Sequence, residues 1–208
     1  MRVSEYIIFA FCFIFALKIV TRVWVRLSDC IRISRLKKIG ASVKFRRFPL
    51  ASLVFPSKSA DVTVTLGDTI YLVRFINGRS SNTYLHFASH DFFVTYKKHM
   101  LIPSLRRKGG GKRLSDTTVW RGKVSILPTL DGKALKAYPE NKKVAEALIV
   151  SPIPQEVTYV SETKTSIRLA FTGDEFYGKR IFTAKSFVRY ADREKRKSER
   201  LGSELTMK

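Results

Sequence analysis

The sequence predicts an α+β fold: a β-rich mixed sheet with a long N-terminal helix and a C-terminal helix. Three observations point there. Residues 6–17 (YIIFAFCFIFAL) are twelve consecutive apolar side chains that open a helical segment. From residue 41 onward, short apolar stretches alternate with polar residues and are divided by Gly, Pro, Asn, Asp and Ser, the grammar of strands and turns. Residues 184–200 then return to helical spacing, with Phe187, Val188 and Tyr190 on one side and charge on the other.

These features divide the chain into four parts: an apolar anchor helix (1–25), a basic amphipathic extension (26–40), a β-rich domain (41–200) and a frayed tail (201–208). Apolar residues make up 45% and aromatics 12%, which is enough bulk for a core and excludes a disordered chain. Two cysteines, Cys12 and Cys30, cannot build a disulfide framework or a Cys-rich zinc site. The 39 Lys+Arg against 17 Asp+Glu give a net charge of +22 and point to a polyanionic neighbour, either nucleic acid or an anionic membrane. That charge is uneven: residues 1–60 carry +10, residues 61–143 carry +9, and residues 144–208 only +3.

The apolar run is shorter than the roughly 20 residues a helix needs to cross a bilayer. It resumes after Lys18 with Ile19, Val20, Val23, Trp24 and Val25, so a helix from residue 3 to 21 or 25 spans if Lys18 snorkels to the headgroups. Trp24 then falls in the interfacial layer. A signal peptide and a buried core helix compete with this reading. No Ala-x-Ala-like site closes the run, and no apolar face is set apart from a polar one. The flank Lys18, Arg22, Trp24, Arg26 and the basic residues beyond it place the domain in the cytoplasm by the positive-inside rule, against an anionic inner leaflet. From residue 19 to 36, Val20, Val23, Leu27 and Ile31 form a stripe that Lys18, Arg22, Arg26 and Asp29 avoid. That stripe is expected to pack on the domain, or else to lie on the inner leaflet. Gly40 ends the helix.

In the domain, strands are expected at 42–48, 61–66 and 69–76, with a loop over 49–60 and a turn at Gly67-Asp68. Residues 69–76 (TIYLVRFI) are apolar apart from Arg74 and the first Thr, as in a central strand buried on both faces. A hairpin is expected from 82–87 and 91–97, then a mobile basic loop over 98–118. Further strands follow at 119–127, 147–153, 156–160, 166–171 and 179–183, with a turn at Gly173-Asp174.

The order helix, basic strand (Val43-Lys44-Phe45-Arg46-Arg47), Asp61-led strand, tight turn and apolar strand resembles the core of the restriction-endonuclease-like superfamily, nearest in character to archaeal Holliday-junction resolvases. In that family a Pro-Asp opens the second strand and a Glu-x-Lys ends the third. The two carboxylates hold a divalent metal, and the Lys positions the attacking water. Here Asp61 matches, Ala60 replaces the proline, and Arg74 and Ile76 stand at the Glu and Lys positions. The resemblance covers about residues 20–80 and implies the fold without the metal-dependent nuclease; Asp61 would be catalytic only in an active enzyme.

Other constellations are weaker. His86 and His90, followed by Asp91, sit four apart on a strand entering a turn, where two imidazoles do not converge; His99 is isolated. Residues 107–113 (RKGGGKR) lack the Ser/Thr and following helix of a phosphate loop. Asp174-Glu175 reads as turn chemistry rather than an acid/base pair. No metal site and no cofactor are expected.

The function expected from these residues is that of a non-catalytic, single-pass protein of the cell membrane with a basic cytoplasmic interaction domain, its protein partner unknown. The alternative is a nucleic-acid binder on a degenerate nuclease fold. Its phosphate contacts would be Arg46, Arg47, Arg74, Arg79, Arg106, Arg107, Lys108, Lys112 and Arg113.

Overall fold

A computed structural model describes residues 3–46, 59–78, 83–100, 118–127, 130, 138–139, 142–161 and 165–206. Helix α1 runs without a break over Val3–Ser34 and passes into a single 3-10 segment, Arg35–Ile39. Gly40 then takes the left-handed conformation (φ 81°) and closes both with its N–H on the carbonyls of Leu36 and Lys37. At about 1.5 Å per residue α1 is on the order of 48 Å long. Every described side chain from Tyr6 to Arg22 is exposed, Phe11 and Phe9 to 72% and 69%. The helix is long and apolar enough to cross a membrane, or to serve as a signal sequence.

Among the described residues eleven strands follow: β1 (Ser42–Phe45), β2 (Val62–Leu66), β3 (Thr69–Ile76), β4 (Thr83–Phe87), β5 (Phe92–Met100), β6 (Thr118–Ile126), β7 (Lys143–Val150), β8 (Glu156–Val160), β9 (Ser166–Arg168), β10 (Thr172–Phe176) and β11 (Lys179–Phe182). Helix α2 (Ala184–Thr206) closes the chain. The α+β, β-rich architecture is the expected one, but the strands form two mixed sheets. The first has the order β1-β2-β3-β7-β11-β10 and the second β6-β5-β4-β8-β9. In the first, β1, β2 and β3 run antiparallel in turn, β3, β7 and β11 run parallel, and β10 returns antiparallel to β11.

The apolar character of β3 explains the second sheet. Tyr71, Val73 and Phe75 face one side, where they join Cys30, Ile33 and Leu36 of the N-terminal helical segment and Phe187 and Ala191 of α2 in one buried cluster. Ile76 faces the other way with Leu148, Val150 and Ile181, against Leu85, Phe87, Phe93 and Val157 of the second sheet. A strand apolar on both faces needs a layer on each. Helices therefore cover one face of the first sheet, and the second sheet covers the other.

The helical face turned to the domain is not the expected one. Val20, Leu27 and Ile31 are exposed, whereas Arg26, Asp29, Cys30 and Ile33 are buried. Cys30, Ile33 and Leu36 recur at three-residue steps and select the inward face; Arg26 and Asp29 share it one turn earlier and go in with it. Val20, Leu27 and Ile31 continue the exposed face of the apolar run instead.

Several boundaries also move. β7 begins at Lys143 and stops before Pro152, whose missing N–H cannot extend the ladder. The ladder of β5 and β6 pairs residue for residue from Phe92↔Ile126 to Met100↔Thr118, through Lys98, His99, Met100 and Thr118, which were expected to be loop. Backbone pairing does not need apolar side chains, so composition alone misplaces that end; residues 101–117 of the expected basic loop lie outside the described residues. Gly173 and Asp174 belong to β10, which is irregular between Thr172 and Glu175, and the turn falls at Tyr177-Gly178. Tyr177 has φ 48°, a conformation that composition does not announce. α2 continues to Thr206, past the expected end at residue 200. Its start carries reciprocal bonds: the Ser186 hydroxyl accepts the Thr183 N–H at 2.9 Å and the Thr183 hydroxyl accepts the Ser186 N–H at 3.1 Å.

Phe187 is fully buried where α2, Tyr71 and Phe182 meet, with edge-on ring contacts at 5.7 and 5.3 Å. Phe187→Ala is expected to cost about 3–5 kcal/mol and Phe187→Leu clearly less, in denaturant unfolding of the detergent-solubilised protein.

Candidate functional site

Two groups of buried charged side chains flank the middle of the first sheet. The first lies on the face covered by the second sheet. Arg74 on β3 is 4% exposed and forms an ion pair and hydrogen bond with Glu146 on β7. Lys179 at the start of β11 stands opposite Glu146 in register and donates to the His90 carbonyl at 2.6 Å. Burial pushes the Lys179 ammonium below its usual range, and the Glu146 carboxylate partly opposes that. Arg74, Glu146 and Lys179, on three neighbouring parallel strands, make a buried ion network.

The second group lies at the other face, where α1 crosses the C-terminal ends of β3 and β7. One step beyond the Val62↔Val73 pair, Asp61 falls beside Arg74 on the neighbouring strand. Its N–H donates to the Val73 carbonyl at 2.9 Å, and its carboxylate accepts the Phe75 N–H at 2.9 Å. Asp61 thus caps the β2–β3 ladder. Arg26 of α1 lays its guanidinium over the Phe75 ring, 4.3 Å from the centroid. It is 1% exposed, and none of its three guanidinium nitrogens has a hydrogen-bond partner. Burial lowers its proton affinity, while the charges of Asp61 and Asp29 act in the opposite direction. Asp29, 4% exposed, is held up by burial, against the Ser151 hydroxyl and the charges of Arg26 and Arg32. The neighbouring Cys30 thiol is pushed up to about 11 by burial, which leaves it un-ionised at neutral pH.

Two clefts open beside this group. The smaller, about 10 Å³, is lined by Arg22, Val25, Arg26, Asn77, Ser151 and Pro152. The larger, about 430 Å³, shares Val25, Ser151 and Pro152 and adds Asp29, Arg32 and Lys185. The backbone is close-packed here: a Cβ on Gly78 would overlap the Pro152 carbonyl oxygen.

The residues singled out from sequence fall in different places. Arg74 is buried between the sheets and paired, so it presents nothing to a surface. Arg46 bonds the Thr63 hydroxyl at 3.1 Å and lies over the Tyr138 ring at 5.3 Å. Arg47, Arg79, Arg106, Arg107, Lys108, Lys112 and Arg113 lie outside the described residues. On the membrane flank, Lys18, Arg22 and Trp24 are exposed; Arg26 is the exception, buried on the sheet because it shares a face with Cys30 and Ile33. His86 bonds the Thr158 hydroxyl at 2.8 Å and His90 stacks on Tyr177 at 4.3 Å. Among the described residues no group of three metal-ligating side chains forms. Asp174 binds the Ala170 N–H at 2.8 Å and the Thr172 hydroxyl at 3.1 Å, a local loop brace. Glu146, Lys179 and the inward role of Arg26 and Asp29 were not singled out. Only the three-residue spacing of Cys30, Ile33 and Leu36 signalled that face.

Glu146→Gln is expected to destabilise the domain by about 1–3 kcal/mol, because it removes the carboxylate charge that pairs with the buried Arg74 guanidinium. The pair of changes Arg74→Met and Glu146→Leu together is expected to be near neutral or stabilising, as read by denaturant unfolding. No protein-family model, curated protein or solved structure matches the chain.

Proposed function

We propose that the protein is a non-catalytic, single-pass component of the cell membrane whose β-rich domain sits on the cytoplasmic face as an interaction module. The observation that carries this is the continuity of α1. One helix runs from an apolar stretch with every described side chain uncovered into a last third whose inner face the domain buries. Such a helix satisfies its backbone in lipid and couples the domain rigidly to the bilayer. The side of the membrane follows from Lys18, Arg22, Arg26, Arg32, Arg35, Lys37 and Lys38 after the run, against Arg2 and Glu5 before it. We read the core of the domain as restriction-endonuclease-like without the nuclease chemistry. In support, Asp61 serves as a ladder cap for Phe75, and an arginine stands where that resemblance needs a carboxylate.

Extraction of membranes tests the anchor. The full chain is expected to stay with the membrane in high salt and alkaline carbonate and to be released by detergent; release by salt would contradict it. Added protease is expected to degrade the domain only after cells are permeabilised. Cleavage in intact cells would reverse the assigned side.

A further inference from the structure

The two clefts where α1 crosses the ends of β3 and β7 hold a chemical inconsistency that a ligand would resolve. A guanidinium is the most demanding donor among side chains, with five N–H groups and no acceptor. Buried without a partner, such a group costs several kcal/mol. Arg26 is in that state: the charges of Asp61 and Asp29 and the ring of Phe75 offset its charge, but none of them accepts its N–H donors. Arg26 is among the residues lining the smaller cleft, whose volume of about 10 Å³ fits a single oxygen-sized group; its guanidinium nitrogens are themselves closed to solvent, so an oxygen reaches them only as the side chain turns toward that cleft. Arg22 lies one turn earlier on the same helix, is exposed, and lines the same cleft.

The charge around the clefts selects the sign of the occupant. Arg22, Arg26, Arg32 and Lys185 line the two openings, and Asp29 is the one carboxylate among their lining residues. Asp29 has one buried oxygen without a partner, and the other lies 3.6 Å from Arg32. An anion is therefore favoured, and it must present an oxygen narrow enough to reach Arg26. Phosphate does this: its non-bridging oxygens accept from a guanidinium with good geometry. Exposed Trp24 and Ile153, also lining the larger cleft, offer apolar contact at its rim.

We propose that these clefts form a binding site for a phosphate group, with Arg26 and Arg22 as its donors and the headgroup of a phospholipid as its source. The lipid source rests on the membrane-anchor reading; the phosphate site itself does not. Arg22 is the first basic residue after Lys18 in α1, in the layer where headgroups would lie. A bound phosphate would complete the hydrogen bonding of Arg26 and fix how the domain sits on the bilayer.

The test uses the full chain in a maltoside detergent free of phosphate, titrated with inorganic phosphate, with dioctanoyl phosphatidic acid, and with dioctanoylglycerol as the same lipid without phosphate. Binding is read by calorimetry and by the shift in unfolding temperature. Phosphatidic acid is expected to bind saturably and raise that temperature, and dioctanoylglycerol to do neither. Arg26→Met is expected to weaken binding by about tenfold or more, and Arg22→Gln by several-fold. Arg22 is exposed, so Arg22→Gln decides the question if Arg26→Met fails to fold. Inorganic phosphate that binds as tightly as the lipid, with the same dependence on both arginines, would support the site and overturn its lipid source. No saturable binding of either phosphate compound, or binding unchanged in both variants, would overturn the proposal. Failure of the anchor reading would show separately, as a chain that leaves membranes in salt and can be titrated without detergent.

Discussion

The structure depends on one helix that has to satisfy two surroundings. α1 is a single uninterrupted element, yet its described side chains from Tyr6 to Arg22 are all exposed and its last third forms part of the domain core. Ile33 and Leu36 are almost wholly buried against the first sheet, so the helix cannot leave without opening that core. The exposed Phe, Ile and Leu side chains before residue 20 cannot in turn be left in water at no cost. At roughly 25 cal/mol per Å² of apolar surface they are a strong drive toward lipid or a partner. The fixed geometry between helix and sheet transmits any constraint on the first half to the second.

That constraint also accounts for the unusual inward face. A helix between water and protein turns its apolar side to the protein. α1 instead presents Val20, Trp24, Leu27 and Ile31 outward and buries Arg26 and Asp29. If the outer surrounding is partly hydrocarbon or interfacial, the two preferences no longer oppose each other. The apolar side meets lipid, and the charged pair is sheltered at the sheet ends beside Asp61 and Phe75. Such burial is tolerable only when each charge finds partners, and for this reason the bare donors of Arg26 point to a further group.

Much of this was legible in the sequence, and the failures have physical causes. The apolar run, Gly40 as a helix stop, the β2–β3 hairpin through Gly67-Asp68 and the doubly buried β3 all follow from period and turn chemistry acting over a few residues. The partition into two sheets was not legible, because it depends on which strands pair across long separations, as β3 does with β7 and β4 with β8. The turn at Tyr177-Gly178 was hidden by a non-glycine residue at positive φ. The candidate site was the least legible part. Arg26 reads from sequence as a headgroup-facing flank, and its burial is decided by the spacing of Cys30, Ile33 and Leu36 four to ten positions later rather than by its own character.

The two cysteines give the most direct measurement of the helix in its two surroundings. Cys12 lies in the uncovered apolar stretch, and Cys30 is buried against the sheet. In native membranes a charged, membrane-impermeant maleimide is expected to label neither. Urea, which unfolds the domain while leaving the bilayer, is expected to expose Cys30 alone, and Cys12 should react only after an ionic detergent dissolves the membrane. Labelling of Cys12 in intact membranes, or of both thiols together in urea, would contradict an α1 held by lipid at one end and by the domain at the other.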